Sequence, residues 1–366
     1  MQKRRFVSTR TLHSGMKIDQ AIVDSTGRDL IRRGAFLDDF QIEYLKEKGI
    51  AGIYIVEGDP DPEDLLGIHV PEYTKKVVEK SRVEDRSKVV LNESIKKRVG
   101  EGIQYLFSNP NSDTFAEASD KISNELAETI LADDAVAVDV NMLKCSDEYT
   151  FKHSVDVATI AMIIGKKYGL THEEIRELGT AGLLHDMGKS KIPKEILNKP
   201  GKLTDSEFEI MKQHSVYGYH ILKEKGKFSN AILCGVLQHH EKVHGNGYPM
   251  GIKSDMIHTF AKIISVADIY DALVTDRPYK RAFSKRTAME MVLATSQDLD
   301  IDVMKSFIGS VILFPVDSIV ELSNGEMAKV VENSPEFPMR PKVVEIRTGR
   351  LLDLSNDPTC ASIIIL

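Results

Sequence analysis

Tryptophan is absent from this chain, and cysteine occurs three times, as Cys145, Cys234 and Cys360. No two of them stand in a paired spacing, which argues against a disulfide framework and against a thiolate metal site. Long apolar runs are lacking too. The longest nearly apolar stretch, Val157 to Gly165, falls far short of the ~20 residues that a membrane span needs. No apolar leader segment follows the opening Met1-Gln2-Lys3-Arg4-Arg5. Nor is there an excess of basic charge: Lys+Arg 48 against Asp+Glu 55 gives a net charge of -7. A general DNA or RNA surface is therefore not expected, and an anionic ligand needs a local basic patch working against the global field. Secreted, membrane-spanning and fibrous classes fall outside expectation, and a reducing, cytoplasmic location fits.

What is present suits globular matter. With 366 residues and 42% hydrophobic composition, the chain predicts two to three domains at ~150 residues each, with enough core to need no staple. Four zones differ in pattern. Residues 1–60 read as a small α/β domain, with strands at Ala21-Ile22-Val23 and from Gly52 to Val56. Between them, Asp38 is placed to cap a helix carrying Phe40, Tyr44 and Leu45 on one face and stopped by Gly49. Residues 61–147 read as a linker, marked by Pro60, Pro62 and Pro71, and then a charged amphipathic helical segment. Residues 148–310 are almost wholly helical. Val155, Ala158, Ile160, Ile163 and Ile164 form an apolar stripe that Gly169 ends, and Thr171 with Glu174 and Thr204 with Glu207 form capping boxes that mark two helix starts. Residues 311–366 change to strand periodicity, in 316–322, 328–331, 342–346 and 362–365, and read as a β-rich appendage packed on the helical body. The expected class is thus mainly α.

Histidine placement carries the chemistry. Of 11 histidines, His153, His185, His214, His239 and His240 fall where surface statistics do not explain them. His185-Asp186 and His239-His240 each end an apolar run, Asp268 interrupts another, and His153 opens a fourth. Buried imidazoles and carboxylates must be paired or must bind a metal to offset desolvation. Any one of them alone is best read as a hydrogen-bonded core residue. Seven N/O ligands at interior helix ends predict a metal site, and the lack of thiolate favours iron, manganese or another borderline-to-hard divalent ion. Adjacent His185 and Asp186 cannot point the same way on a helix, so His185 is expected to serve one ion while the Asp186 carboxylate bridges to a second. Two such ions, ~3.5–4 Å apart, suit phosphoester hydrolysis.

The order His153…His185-Asp186…Asp268 resembles the signature of the HD metallophosphohydrolase superfamily. The segment His239-His240-Glu241-Lys242-Val243-His244-Gly245-Asn246-Gly247-Tyr248-Pro249 resembles the element that defines its HD-GYP subfamily, and Lys212-Gln213-His214-Ser215 and Ala267 to Tyr279 also match, over about residues 148–310. This resemblance implies an all-helical HD fold. It implies hydrolysis of cyclic di-GMP to linear pGpG, and in many members on to GMP, by a hydroxide bridging two metal ions. His153, His185, Asp186 and Asp268 match first-ion ligands; Asp186, His214, His239 and His240 match the second. Lys189 matches a lysine beside the scissile phosphate. Gly247, Tyr248 and Pro249 match a substrate-facing loop, and Arg277 and Lys280 match contacts to phosphates or guanines. Tyr149 stands where members with a third ion carry Glu, which favours two ions. The N-terminal zone is similar, more loosely, to a small domain that often precedes HD-GYP domains. GGDEF-type signalling proteins and a second copy of the chain are candidate partners. A binding module that senses the nucleotide without hydrolysing it, and a hydrolase of a related cyclic dinucleotide, stay open as alternatives.

Overall fold

The computed structural model describes residues 3–12, 16–19, 22–23, 29–31, 35, 37–48, 50, 52–57, 68, 70–85, 93–132, 149–275, 282–334 and 336–366. At the N-terminal end, β1 (Lys3–Ser8) pairs antiparallel with β5 (Gly52–Glu57), from Lys3 opposite Glu57 to Ser8 opposite Gly52. β2 (Lys17–Ile18) adds to the other edge of β5, and β3 (Ile22–Val23) pairs with β4 (Asp29–Ile31). The expected cap forms. Asp38 accepts from the backbone N–H of Gln41, whose side chain returns the bond, and starts α1 (Asp39–Glu47). The face expected to be buried does not hold. Phe40 is 81% exposed, whereas Ile42 and Leu45 enter the small core with Ile18, Ile53 and Ile55. Positions 42 and 45 share one helix face, and Phe40, two residues from Ile42, lies on the opposite side. Gly49 lies outside the described residues.

Helices α2 (Glu72–Ser81), α3 (Glu93–Ser108) and α4 (Phe115–Ala132) occupy the charged middle zone. The last two bury Val99, Ile103, Leu106, Phe115, Leu126 and Ile130 in the same core as the helices that follow, so that core draws on both sides of residue 148.

At the centre runs α5 (Tyr149–Tyr168). Sequence periodicity gave it one apolar stripe, but every residue from His153 to Gly165 is buried. The reason is tertiary: α3, α4, α6 (His172–Leu184), α10 (Thr259–Val274) and α12 (Ile301–Ile308) enclose it. Both capping boxes form, at Thr171 for α6 and Thr204 for α8 (Asp205–Lys225). Short α7 (Lys194–Leu197) precedes α8. Helix α9 (Asn230–Gln238) packs on α6, α8 and α10, and α11 (Lys285–Ala294) closes against α10.

The C-terminal sheet has the order β6 (Ile319–Glu321), β7 (Met327–Glu332), β8 (Lys342–Glu345), β9 (Leu351–Asp353), all antiparallel. Residues 362–365 do not form the strand expected of them. Ile365 makes one bridge to Leu322, and the fourth strand is instead β9. Of the apolar triplet in that segment, Ile365 is buried with Cys360 in the sheet's core while Ile364 is exposed, so the run reflects burial of single positions and not strand pairing. The chain is thus mainly helical with a small sheet region at each end, and no described helix is long and apolar enough to cross a membrane.

Candidate metal centre

Five helices deliver the predicted ligands to one place. His153 comes from the first turns of α5, His214 from mid-α8 and Asp268 from mid-α10, while His185 and His239 are the residues at which α6 and α9 stop. His153, His185, Asp186, His214 and His239 are all buried.

Their candidate ligand atoms fall into three overlapping groups, His214/His239/His240, His153/His185/Asp268 and His185/Asp186/His239, each within 4.8 Å. His153 Nε2 lies 3.3 Å from Asp268 Oδ1 and 3.7 Å from Asp186 Oδ2. Asp186 Oδ1 lies 3.5 Å from His214 Nε2, and Nε2 of His214 and of His239 are 3.4 Å apart.

The expectation that His185 and Asp186 must diverge is corrected here. His185 Nε2 lies 3.4 Å from Asp186 Oδ2, because the helix ends at Leu184 and Asp186 leaves it at φ -97, ψ 6. The divergence expected of neighbouring helical residues ceases to apply once the second has left the helix.

The imidazoles are pre-oriented. Nδ1–H of His185, His214 and His239 donates to the backbone carbonyls of Gly182, Met211 and Val236 at 2.7, 2.8 and 2.8 Å. That fixes the tautomer and turns each Nε2 lone pair inward, the usual arrangement behind a metal ligand. His153 Nδ1 instead pairs with the buried Asp271 carboxylate at 2.6 Å. Asp271 had no assigned role in the sequence reading; its one signal was a carboxylate three residues after Asp268, on the same helix face. His185 Nε2 and Asp186 Oδ1 are buried and complete no hydrogen bond. Buried orphans of this kind are costly, and a divalent cation would satisfy both.

Electrostatics follow the same plan. Burial opposes charge on His153, but hydrogen bonds to Asp268 and Asp271 outweigh it and raise the imidazole to about 10. Burial pushes His240 down to about 4 and His239 well below the imidazole range. Asp186 is held well below the usual carboxylate range: burial opposes this, and Lys189, then His185 and His214, prevail. Lys189 Nζ lies 2.5 Å from Asp186 Oδ2 with its side chain 32% exposed. It therefore faces both the cluster and solvent.

Two close approaches make this geometry affordable. A Cβ on Gly188 would lie 1.8 Å from the carbonyl of His214, so glycine there lets α8 bring His214 up to Asp186. A Cβ on Gly247 would lie 2.5 Å from the carbonyl of His240. That contact folds the 245–252 loop over the histidines, where Tyr248 stacks on His240 at 4.6 Å. Buried Glu241 is a second residue that sequence reasoning left without a role. Its carboxylate accepts from the N–H groups of Met250, Gly251 and Ile252 at 2.7, 3.2 and 3.1 Å, pinning the loop that presents Tyr248 and Pro249. Arg277 and Lys280 lie outside the described residues, as does the Tyr149 side chain.

Comparison with known proteins gives this geometry a context. Residues 137–303 match the HD domain family, and residues 319–360 match the KOW domain associated with HD domain. A cyclic di-GMP phosphodiesterase of Pseudomonas aeruginosa is 36% identical over 62% of this chain and 55% of its own length. One of Borreliella burgdorferi is 32% identical over 60% of this chain and 58% of its own. A 3′3′-cGAMP-specific phosphodiesterase of Vibrio cholerae is 35% identical over 42% of this chain and 35% of its own. The chain thus spans a little over half the length of the first two relatives.

Proposed function

We propose that this chain, whose residues 137–303 match the HD domain family, is a metal-dependent phosphodiesterase hydrolysing cyclic di-GMP to linear pGpG, with GMP as a further product. One observation carries the reading: three overlapping groups, two of imidazole with carboxylate and one of imidazoles alone, bring together two buried, hydrogen-bond-orphaned ligand atoms. We assign one divalent ion to His153, His185, Asp186 and Asp268, and a second to Asp186, His214, His239 and His240. Iron or manganese suits this thiolate-free set. Bound ions supply Lewis-acid charge and activate water for attack at phosphorus.

The side chains do the rest. Inward-turned Nε2 atoms bind without reorganising, because their Nδ1–H groups are already engaged. Asp186, kept ionised, offers two oxygens to two neighbours. Lys189, its side chain about a third exposed, places an ammonium beside that carboxylate, where it would neutralise charge growing on the phosphate's non-bridging oxygens. Tyr248 and Pro249, held by Glu241 through their loop, face the substrate, and Arg277 and Lys280 are assigned its phosphates or guanines. The V. cholerae relative keeps 3′3′-cGAMP open as a second substrate.

The test is elemental analysis of the purified chain beside hydrolysis of cyclic di-GMP, 3′3′-cGAMP and cyclic di-AMP. Close to two ions per chain and turnover of cyclic di-GMP are expected, with loss of both metals in Asp186→Ala. Tight nucleotide binding without hydrolysis, at full metal content, would replace this reading with that of a sensor module. Preference for 3′3′-cGAMP would change the substrate and keep the chemistry.

A further inference from the structure

The inner face of α8 delivers His214, but the first turns of the same helix carry an aromatic ring and a cation that the metal centre does not use. Phe208 is 44% exposed. Lys212, one turn further on, holds its ammonium 5.0 Å from the Phe208 ring centroid and 5.9 Å from that of Tyr248. The Phe208 and Tyr248 rings meet edge to face at 6.2 Å, and Tyr248 stacks on His240 at 4.6 Å. A run of rings therefore leads outward from the histidine cluster, with a positive charge between the outer two.

A purely structural account of Phe208 exists. It is the fourth residue of its helix, the place where an aromatic can staple against Leu203 just before the Thr204 cap. A staple needs one covered side, however, and does not explain a ring left nearly half open beside a lysine. Lys212 is not committed either. Its ion pair with Glu209, at 2.6 Å, has that carboxylate 67% exposed, and such solvent-screened pairs are weak enough for a phosphate to displace.

We propose that Phe208, Lys212 and Tyr248 form an outer subsite for one nucleotide unit of a cyclic dinucleotide, with a purine stacked on Phe208 and a phosphate facing Lys212. The inference rests on the cyclic dinucleotide reading above and extends it to residues that reading leaves idle. Stacking on an aromatic side chain is sequence-tolerant, so this subsite would contribute affinity for purines generally and leave the choice between them to other contacts.

The test uses the full chain with its metals and the variants Phe208→Ala, Phe208→Trp and Lys212→Met. Affinity for cyclic di-GMP is read by calorimetry, and kcat and KM are read for cyclic di-GMP and for methyl p-nitrophenyl phosphate, which has no purine. Phe208→Ala should weaken binding and raise KM by about five- to hundred-fold, the worth of one stacked base, with a much smaller effect on the purine-free diester. Phe208→Trp should bind within a few-fold of wild type, and Lys212→Met should weaken binding most at low salt. Unchanged affinity in Phe208→Ala overturns the subsite. So does an equal loss on both substrates accompanied by a lower Tm, which would return Phe208 to a staple. If the wild type binds cyclic di-GMP without cleaving it, the hydrolase reading fails while the affinity comparison still judges the subsite. A wild type that binds no cyclic dinucleotide overturns both.

Discussion

Replacing Asp271 by Asn tests how far the centre depends on a residue that touches no ion in our assignment. Asp271 is fully buried and its Oδ2 holds His153 Nδ1 at 2.6 Å, while Oδ1 accepts from the Thr275 hydroxyl at 3.0 Å. Asparagine keeps the shape. Its carbonyl oxygen can accept from Nδ1–H, and its amide can donate to Thr275, whose hydroxyl turns to accept. What disappears is the charge, and a charge-assisted hydrogen bond is about twice as strong as a neutral one. That difference is on the order of 1–1.5 kcal/mol, or roughly ten-fold in metal affinity, at the lower end of the 10–100-fold that outer partners of metal-bound histidines command. Asp271→Ala removes the acceptor altogether and should reach the upper end of that range. Metal retention against graded chelator, read by elemental analysis with Tm alongside, measures both. Equal chelator resistance in wild type and both variants would refute the argument that Asp271 tunes His153.

Other consequences follow from the same geometry. Lys189→Ala should fold and keep its metals, yet lose roughly a hundred-fold in turnover, the scale of one missing charge donor; a variant with full turnover would free Lys189 of any role beyond pairing with Asp186. Gly188→Ala would put a methyl 1.8 Å from the His214 carbonyl and 2.4 Å from the Gly218 amide, so α8 must retreat, with a cost of at least ~1–3 kcal/mol in a thermal melt and reduced metal content. In metal-stripped protein, His240 sits at about 4 because burial disfavours its charge. The unfolded chain then takes up the proton first, so stability should fall as pH drops from ~6.5 toward 4 and level off below, whereas His153, raised to about 10, contributes stability below ~6.5 that is lost as pH climbs toward 10. A flat Tm from pH 4 to 6.5 after chelation would contradict the burial of His240.

Local signals were the legible ones. Capping boxes at Thr171 and Thr204 and the cap at Asp38 need three or four residues of context, and each stands as read. The seven residues assigned to the metal centre stood out because most are imidazoles or carboxylates set at the ends of, or inside, apolar runs. The structure brings their nitrogen and oxygen atoms into overlapping groups. Features set by contact were not legible. Nothing near His153 in sequence names Asp271, 118 residues away, as its partner. Three-residue strands such as β9 carry too few positions for alternation to show. That Glu241 pins its loop depends on three backbone N–H groups, which have no sequence signature at all.

The middle zone shows what such contacts change. Residues 61–147 read as linker and amphipathic helix, yet α2 is built into the last sheet. Thr74 Oγ1 donates to the carbonyl of Ile346 at 2.9 Å, and Val78 packs on Val331 of β7 and Val344 of β8. Beyond the helix, the Val83 N–H donates to the Val331 carbonyl, Arg82 pairs with Asp317, and Asp85 accepts from the Val316 N–H and the Asn333 side chain. Val331 and Val344 are both fully buried and lie outside the sheet's other apolar cluster, so the cover they have is α2. An amphipathic helix in a charged segment looks like a spacer when its partner lies some 270 residues on, because hydrophobic periodicity reports that a face is covered and never by what. Segment 72–85 therefore belongs energetically with the C-terminal sheet, and the polypeptide between them, which includes the whole metal centre, forms a loop closed by that contact.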